Sequence, residues 1–281
     1  MSEVYLNREW VDKREARIPL NEAGFLRGDG VFESILVEEG RVIRLRQHLE
    51  RLFEGMRHIR IRSKETPEEM AALVREYINR NGLADNVLRV IVTRGVYDAL
   101  PWDYRGPNSL YITHTSLPAV PAAPVRVVFL DETDYPIIRM HPAVKSLNYL
   151  GNMLAKMDAH VQGAFEPILY NKDRYITEGG IRNVFFVKDR TLYTPSLELG
   201  ILPGTMRDAV IELAREQGIA CRETRISLEE AHSMDEAFLT STAVKILPVR
   251  WDGWQSDYAL TEYLQQQLNI FLNQQHEELR G

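Results

Sequence analysis

Three short stretches hold residue types that could do chemistry. In His141-Pro-Ala-Val-Lys-Ser-Leu-Asn-Tyr-Leu-Gly-Asn152, Lys145 stands alone among apolar and small residues, just before a predicted helix. An amine in such surroundings is a candidate nucleophile, although most lysines are solvated surface groups. In Ile176-Thr-Glu-Gly-Gly-Ile-Arg-Asn183, Glu178 follows a β-like run and precedes two glycines, which would let a ligand approach the backbone closely. The plain alternative is a hairpin turn with an exposed glutamate. In Gly200-Ile-Leu-Pro-Gly-Thr-Met-Arg-Asp-Ala-Val210, a Pro203-Gly204 turn opens a helix. The N–H groups of Thr205 and Met206 would point out of that helix start, suited to a phosphate, or would simply belong to a capped helix. Thr240-Ser241-Thr242 adds hydroxyls after a strand, and Arg51 adds a cation on a helix.

These residues need elements to hold them. Leu49, Leu52, Phe53, Met56 and Ile59 recur at helical spacing from Leu45 onward. Thr66, Pro67 and Glu69 form a capping-box start for a helix that carries Met70, Leu73, Val74, Tyr77 and Ile78 and stops at Asn81-Gly82. Residues 1–40 alternate in places with glycine punctuation, which suggests short strands. Leu88 to Thr93 and Leu110 to Thr113 read as strands rich in β-branched residues. Pro118, Pro121 and Pro124 mark a stiff linker. Beyond it the pattern predicts a strand over Val125 to Leu130 and a helix from about Asn148 to Gln162. Further strands fall near Pro167 to Tyr170 and Val184 to Val187, then a helix after Gly204 and a strand ending at Leu239. An amphipathic helix over Thr261 to Leu272 closes the pattern. Strands and helices mix in both halves, so the class is mixed α/β. The expected domains are 1–117, a linker over 118–124, and 125–281.

Composition narrows the classes. With 281 residues and 44% apolar content, the chain can bury a core without staples. Its single cysteine, Cys221, leaves no internal disulfide and fits a reducing compartment. Net charge is −6, without a basic tail, so the footprint of a nucleic-acid binder is missing. The apolar runs are too short for a membrane span, and the first residues lack signal-peptide character, so a cytoplasmic protein is expected. His48, His58 and His160 show no paired ligand spacing, so no metal is assigned. Gly28-Asp-Gly30 is not followed by the third glycine of a dinucleotide fingerprint.

The order of short motifs resembles the class IV pyridoxal-phosphate aminotransferases of fold type IV, the group of D-amino acid transaminase, branched-chain aminotransferase and aminodeoxychorismate lyase. The matching pieces are Gly28-Asp-Gly-Val-Phe-Glu33, His48-Leu-Glu-Arg-Leu52, Thr93-Arg-Gly95, Val144-Lys-Ser-Leu-Asn148, Thr177-Glu-Gly179, Asn183-Val-Phe185, Leu202-Pro-Gly204 with Arg207, and Thr240-Ser-Thr242. The resemblance runs from about Tyr5 to Val249. It implies a smaller N-terminal and a larger C-terminal domain with pyridoxal 5'-phosphate in the cleft. Lys145 would hold the cofactor as a Schiff base and shuttle the proton. Glu178 would pair with the pyridine nitrogen. Arg51, Thr205, Met206 and Thr242 would grip the phosphate, with Ser241 as a further contributor and Leu202 against the ring. Family members are usually homodimers that share residues across their active sites, and they act on amino acids and 2-oxo acids.

Departures from the pattern bear on substrate. Against the branched-chain pattern, Arg27 replaces an aromatic residue, Ser34 a glycine and Leu36 an arginine, although Pro142 to Tyr149 looks very like those enzymes. The Arg-x-His that follows Thr-Arg-Gly in D-amino acid transaminases is absent from Val96 to Pro101. Basic residues stand elsewhere: Arg27, Arg94, Arg182 and Lys245. Either these four build an alternative carboxylate pocket, or Arg182 and Lys245 belong to a charge-swapped structural network. The first reading points to a D-amino acid transaminase of non-standard pattern that works by a ping-pong cycle. Branched-chain L-amino acid transamination is the alternative, and aminodeoxychorismate lyase is an alternative of another reaction class. An amine transaminase and a degenerate binding protein remain further options.

Overall fold

The computed structural model describes residues 2–97, 100–104 and 106–278. The chain divides into two compact units: Met1–Pro118 with Val144–Asn148, and Ala119–Ala143 with Tyr149–Gly281.

The first unit runs β1 (Glu3–Leu6), β2 (Glu9–Asp12), α1 (Ala23–Arg27), β3 (Gly30–Glu38), β4 (Arg41–Val42), α2 (Leu45–His58), α3 (Pro67–Asn81), β5 (Asn86–Thr93) and β6 (Ser109–Ser116). Its sheet has the order β2-β1-β6-β5-β3-β4, and all neighbours are antiparallel. Helices α2 and α3 form because their apolar residues recur on one face. That face brings Leu49, Leu52, Met56, Met70, Val74 and Tyr77 against Val31, Ile35, Leu88, Val90, Leu110 and Ile112. Helix α3 starts on the expected capping box. Thr66 Oγ1 accepts from Glu69 N at 3.2 Å and Glu69 Oε2 accepts from Thr66 N at 2.8 Å. It ends on Gly82, at φ 56°.

Two features of this unit differ from the sequence expectation. The glycine-punctuated stretch holds a short helix, α1, rather than only strands. The Glu22 carboxylate accepts from Phe25 N, and Gly24 is needed because a Cβ there would meet Thr93. Strand β6 also runs on to Ser116, past the Thr113 at which the sequence pattern ends it.

The segment around Lys145, placed by sequence in the second half, packs with this first unit. It lies along the start of β3. Phe32 N donates to Lys145 O and Leu147 N to Gly30 O, both at 3.0 Å.

The second unit runs β7 (Val125–Asp131), α4 (Leu150–Val161), β8 (Glu166–Tyr170), β9 (Ile176–Gly179), β10 (Asn183–Lys188), β11 (Thr191–Pro195), α5 (Thr205–Glu216), β12 (Cys221–Thr224), α6 (Leu228–His232), β13 (Glu236–Ser241), β14 (Lys245–Arg250) and α7 (Ala259–Glu278). Its sheet has the order β12-β11-β10-β13-β14-β7-β8-β9. The pairs β11–β12, β7–β14 and β7–β8 are parallel and the rest antiparallel. Val127, Ile168, Val184, Phe186, Leu239, Leu247 and Val249 share one core. Helices α5 and α7 pack on each other and on β13, and α4 packs on β7 and β8. Buried Glu236 anchors α7 by accepting from Leu260 N at 2.8 Å and Thr261 N at 2.7 Å, a carboxylate at a helix N-terminus. No helix among the described residues is long and apolar enough to cross a membrane.

Candidate active site

In the first unit a buried carboxylate organises the polar side chains around it. Glu33 sits on β3 with no exposed surface, facing α2. Arg51 grips it as a fork, Nε to Oε1 and Nη2 to Oε2, both at 2.7 Å. His48 Nδ1 lies 2.7 Å from Oε2 on the same side. Burial pushes the Glu33 carboxyl up. Arg51, and then His48, outweigh burial and hold it at about 2. Burial pushes His48 down, against the pull of Glu33, with Arg51 and Lys145 adding to the lowering. An ionised Glu33 has no proton to give, so His48 Nδ1 is the donor. Arg51 is thereby held in one orientation on α2, with its side chain 12% exposed.

Lys145 reaches over the ring of Phe32, its Nζ 4.6 Å from the centroid. The Arg89 guanidinium, projecting from β5, lies 4.7 Å from the centroid of that same ring. The two cationic centres are thus no further apart than those distances together. Arg89 is exposed and makes no ion pair among the described residues. The sequence reading passed over it. Its signal was a single arginine in the otherwise apolar run Val87-Leu-Arg-Val-Ile-Val92, at the one exposed position of that strand.

Arg94 is already committed. It forks Asp29 at 2.7 and 3.0 Å and donates to Ile59 O and Arg60 O. Tyr97 Oη donates to that same Asp29, and Arg27 stacks over the Tyr97 ring at 5.3 Å. Arg27 is exposed and has no ion pair among the described residues.

In the second unit Glu178 closes β9, and only 12% of its side chain is exposed. Arg139 Nη1 donates to Oε1, while Leu202 N at 3.2 Å and Asn183 Nδ2 at 3.4 Å donate to Oε2. Arg139 is itself set by Glu132, 2.6 Å from Nη2, and by Thr177 Oγ1 at 3.1 Å. Arg139 went unnoticed in the sequence because it is a lone arginine in a loop without period.

Asn183 Nδ2 also donates to Leu202 O at 2.8 Å, and Asn183 pairs with Thr240 in the β10–β13 ladder. Gly204 caps the start of α5, so Thr205 is the first helical residue rather than the cap. Thr205 and Met206 are buried there, and Arg207 is buried beneath them, donating to Pro195 O at 3.0 Å and Glu223 at 2.7 Å. Thr240 Oγ1 is buried and has no partner among the described residues. Ser241 ends β13 and Thr242 follows in the turn, both half-buried. Glu178, Leu202, Thr205, Met206 and the Thr240 turn thus gather around Asn183.

Two of the basic candidates turn their charged ends to other partners. Arg182 Nη1 pairs with fully buried Glu166 at 2.6 Å, beside Lys156 Nζ at 2.5 Å on the same oxygen, and the guanidinium stacks on Phe165. Lys245 Nζ donates to Asn269 of α7 at 2.7 Å. Both side chains join structural networks within the unit. No cluster of three or more His, Cys, Asp or Glu suited to a metal occurs among the described residues.

Comparison with known proteins fits this arrangement. The class IV amino-transferase family model matches residues 30–251. A putative branched-chain-amino-acid aminotransferase of Methanocaldococcus jannaschii is 38% identical over 249 residues, which covers 88% of this chain and 86% of the relative. A D-alanine aminotransferase of Staphylococcus epidermidis is 29% identical over 264 residues, with 89% and 88% covered. The solved branched-chain aminotransferase of Thermoproteus uzoniensis with norvaline superposes with a TM-score of 0.89 at 30% identity, covering 99% of this chain and 97% of its own.

Proposed function

Since the chain belongs to the class IV aminotransferases, which use pyridoxal 5'-phosphate, we propose that it moves an amino group from an amino acid to a 2-oxo acid, with Lys145 as the reactive amine and Arg89 as the cation that receives the donor's carboxylate. The observation that carries this reading is the pair of cations over Phe32. An amino acid brings an amine and a carboxylate on one carbon. A cation near the reacting amine suits such a donor, and a guanidinium binds a carboxylate as a planar fork. Arg27 is another cation without an ion pair among the described residues. In relatives the matching position is contributed to the active site by the dimer partner, which the resemblance implies for Arg27, so a homodimer is part of the proposal. Arg94, Arg182 and Lys245 already have protein partners for their charged ends, which supports a scaffold role for them.

The residues fit the cofactor. A carboxylate offers about four acceptor sites. Glu178 uses three with Arg139, Leu202 and Asn183, which leaves one for a protonated ring nitrogen. Within the second unit, the start of α5 presents backbone donors and Ser241 and Thr242 present hydroxyls suited to a phosphate; within the first, Arg51 presents a pre-oriented cation. Bound pyridoxal phosphate supplies the electron sink for the carbanion at the donor Cα. Lys145 Nζ moves the proton from that carbon, and Glu178 keeps the ring nitrogen protonated.

Of the two donor classes, D-amino acids are favoured, because neither standard carboxylate pattern is present while Arg27 and Arg89 are both exposed and without an ion pair among the described residues. The relative at 38% identity favours a second reading, branched-chain L-amino acids. The test is a single half-reaction. The cofactor-loaded protein is mixed separately with D-alanine, D-glutamate, L-leucine and L-glutamate while the cofactor absorbance is followed to its amine form. Conversion by the D-acids alone supports the first reading, and conversion by the L-acids alone selects the second. Pyruvate release from aminodeoxychorismate without an acceptor would replace both with a lyase.

A further inference from the structure

We infer that Asn183 is a positioning residue that couples the ring-nitrogen contact of the cofactor to its phosphate contact; this rests on the cofactor reading above. One side chain touches both ends. Its Nδ2 donates to Leu202 O at 2.8 Å and lies 3.4 Å from Glu178 Oε2, and Leu202 N closes the triangle on that same oxygen at 3.2 Å. Its Oδ1 lies under Gly204, the cap of α5, where a Cβ would collide with it. Two residues, Pro203 and Gly204, separate Leu202 from the helix start.

Asn183 is 5% exposed and is held at the head of β10 by its pairing with Thr240 of β13. The carboxylate and the helix N-terminus therefore cannot shift independently. Gly204 has a φ of −73°, which any residue can adopt. Its lack of a side chain is required by the Asn183 amide, not by the backbone. Pyridoxal phosphate is a rigid group, and it gains full affinity only if both contacts keep their spacing.

The experiment is a mutant cycle read by binding and spectrum as well as activity. Apoprotein of the wild type, Asn183→Ala, Asn183→Asp, Gly204→Ala and the two double variants is titrated with pyridoxal phosphate. The dissociation constant and the absorbance of the bound cofactor are recorded across pH. Circular dichroism of each variant reports folding. Gly204→Ala and Asn183→Ala are each expected to weaken binding roughly tenfold to a hundredfold, the scale of a buried polar group left unpaired or displaced.

The specific expectation lies in the cycle. Gly204→Ala should cost almost nothing further in the Asn183→Ala background. It should stay damaging in the Asn183→Asp background, where an oxygen still stands under residue 204. Independent, multiplying effects in both backgrounds would overturn the coupling while leaving the cofactor reading intact. The same holds if Asn183→Ala retains wild-type affinity and spectrum. A wild-type apoprotein that does not bind pyridoxal phosphate would overturn the cofactor reading and the inference with it. If Asn183→Ala does not fold, the comparison of Asn183→Asp with the double variant that adds Gly204→Ala still decides, because equal affinities there would refute the steric link.

Discussion

Replacing Glu33 by glutamine removes the fully buried charge at the centre of the Glu33, His48 and Arg51 triad and leaves its shape. The carboxyl falls from an ordinary 4.5 to about 2 because Arg51 and His48 outweigh the burial that raises it. The folded value lies below the unfolded one. The stabilisation is therefore complete above about pH 4.5 and is lost as pH falls toward 2. At about 1.4 kcal/mol per unit, the shift corresponds to about 3 kcal/mol near neutral pH, shrinking to about 2 kcal/mol near pH 3.5. Breaking a buried ion pair from one side costs about 3–5 kcal/mol, so the two routes agree in scale. The assay is urea unfolding of cofactor-free wild type and Glu33→Gln at a series of pH values. Glu33→Gln should unfold at lower urea near neutrality, and the gap should narrow in acid. A gap that stays constant down to about pH 3.5, or no gap at neutrality, would refute the charge argument. Glu33→Gln should also bind pyridoxal phosphate more weakly, since Arg51 loses the carboxylate that orients it.

Three further outcomes are expected. Arg89→Ala should raise the KM for the amino donor by about tenfold to a hundredfold, the worth of a charged hydrogen-bonded contact, with cofactor affinity unchanged; steady-state kinetics read both. Arg182→Ala should leave that KM where it was and lower the thermal midpoint, because it strips one of the two cations from buried Glu166. A raised KM there would return Arg182 to the substrate pocket. Thr66→Ala should cost about 1 kcal/mol in the first unit with activity intact, measured by denaturation, through loss of the α3 capping box.

Local signals made much of the fold legible. Helix α3 declares itself through Thr66, Pro67 and Glu69 at one end and Gly82 at the other, and α2 through its apolar repeat. Helix α1 was hidden because five residues are too few for a period and its cap is a glutamate. The return of the chain to the first unit at Val144 was also hidden. Its contacts with Gly30 and Phe32 link residues more than a hundred positions apart, and no local pattern records them.

At the site, motif order pointed to Lys145, Glu178 and Arg51. It could not show that the Arg182 charge meets Glu166 on a neighbouring strand, or that Arg139 completes the set of donors on Glu178. Such pairings are properties of the packed sheet. The missed Arg89 is a matter of face. Its strand reads as apolar, and only the pairing of Ser34 with Arg89 across β3 and β5 puts it on the side where Phe32 lies.

The interrupted first unit has a consequence for how this protein is made and recombined. A ribosome that has released residues 1–118 has not yet supplied the strip Val144–Asn148 that lies along β3. The nascent unit must wait for about thirty more residues before Lys145 can dock. For the same reason, a chimaera joined at the proline-rich stretch would lay one parent's lysine strip on the other parent's β3. A crossover that respects the architecture must exchange 144–148 together with the first 118 residues, as two separate cassettes.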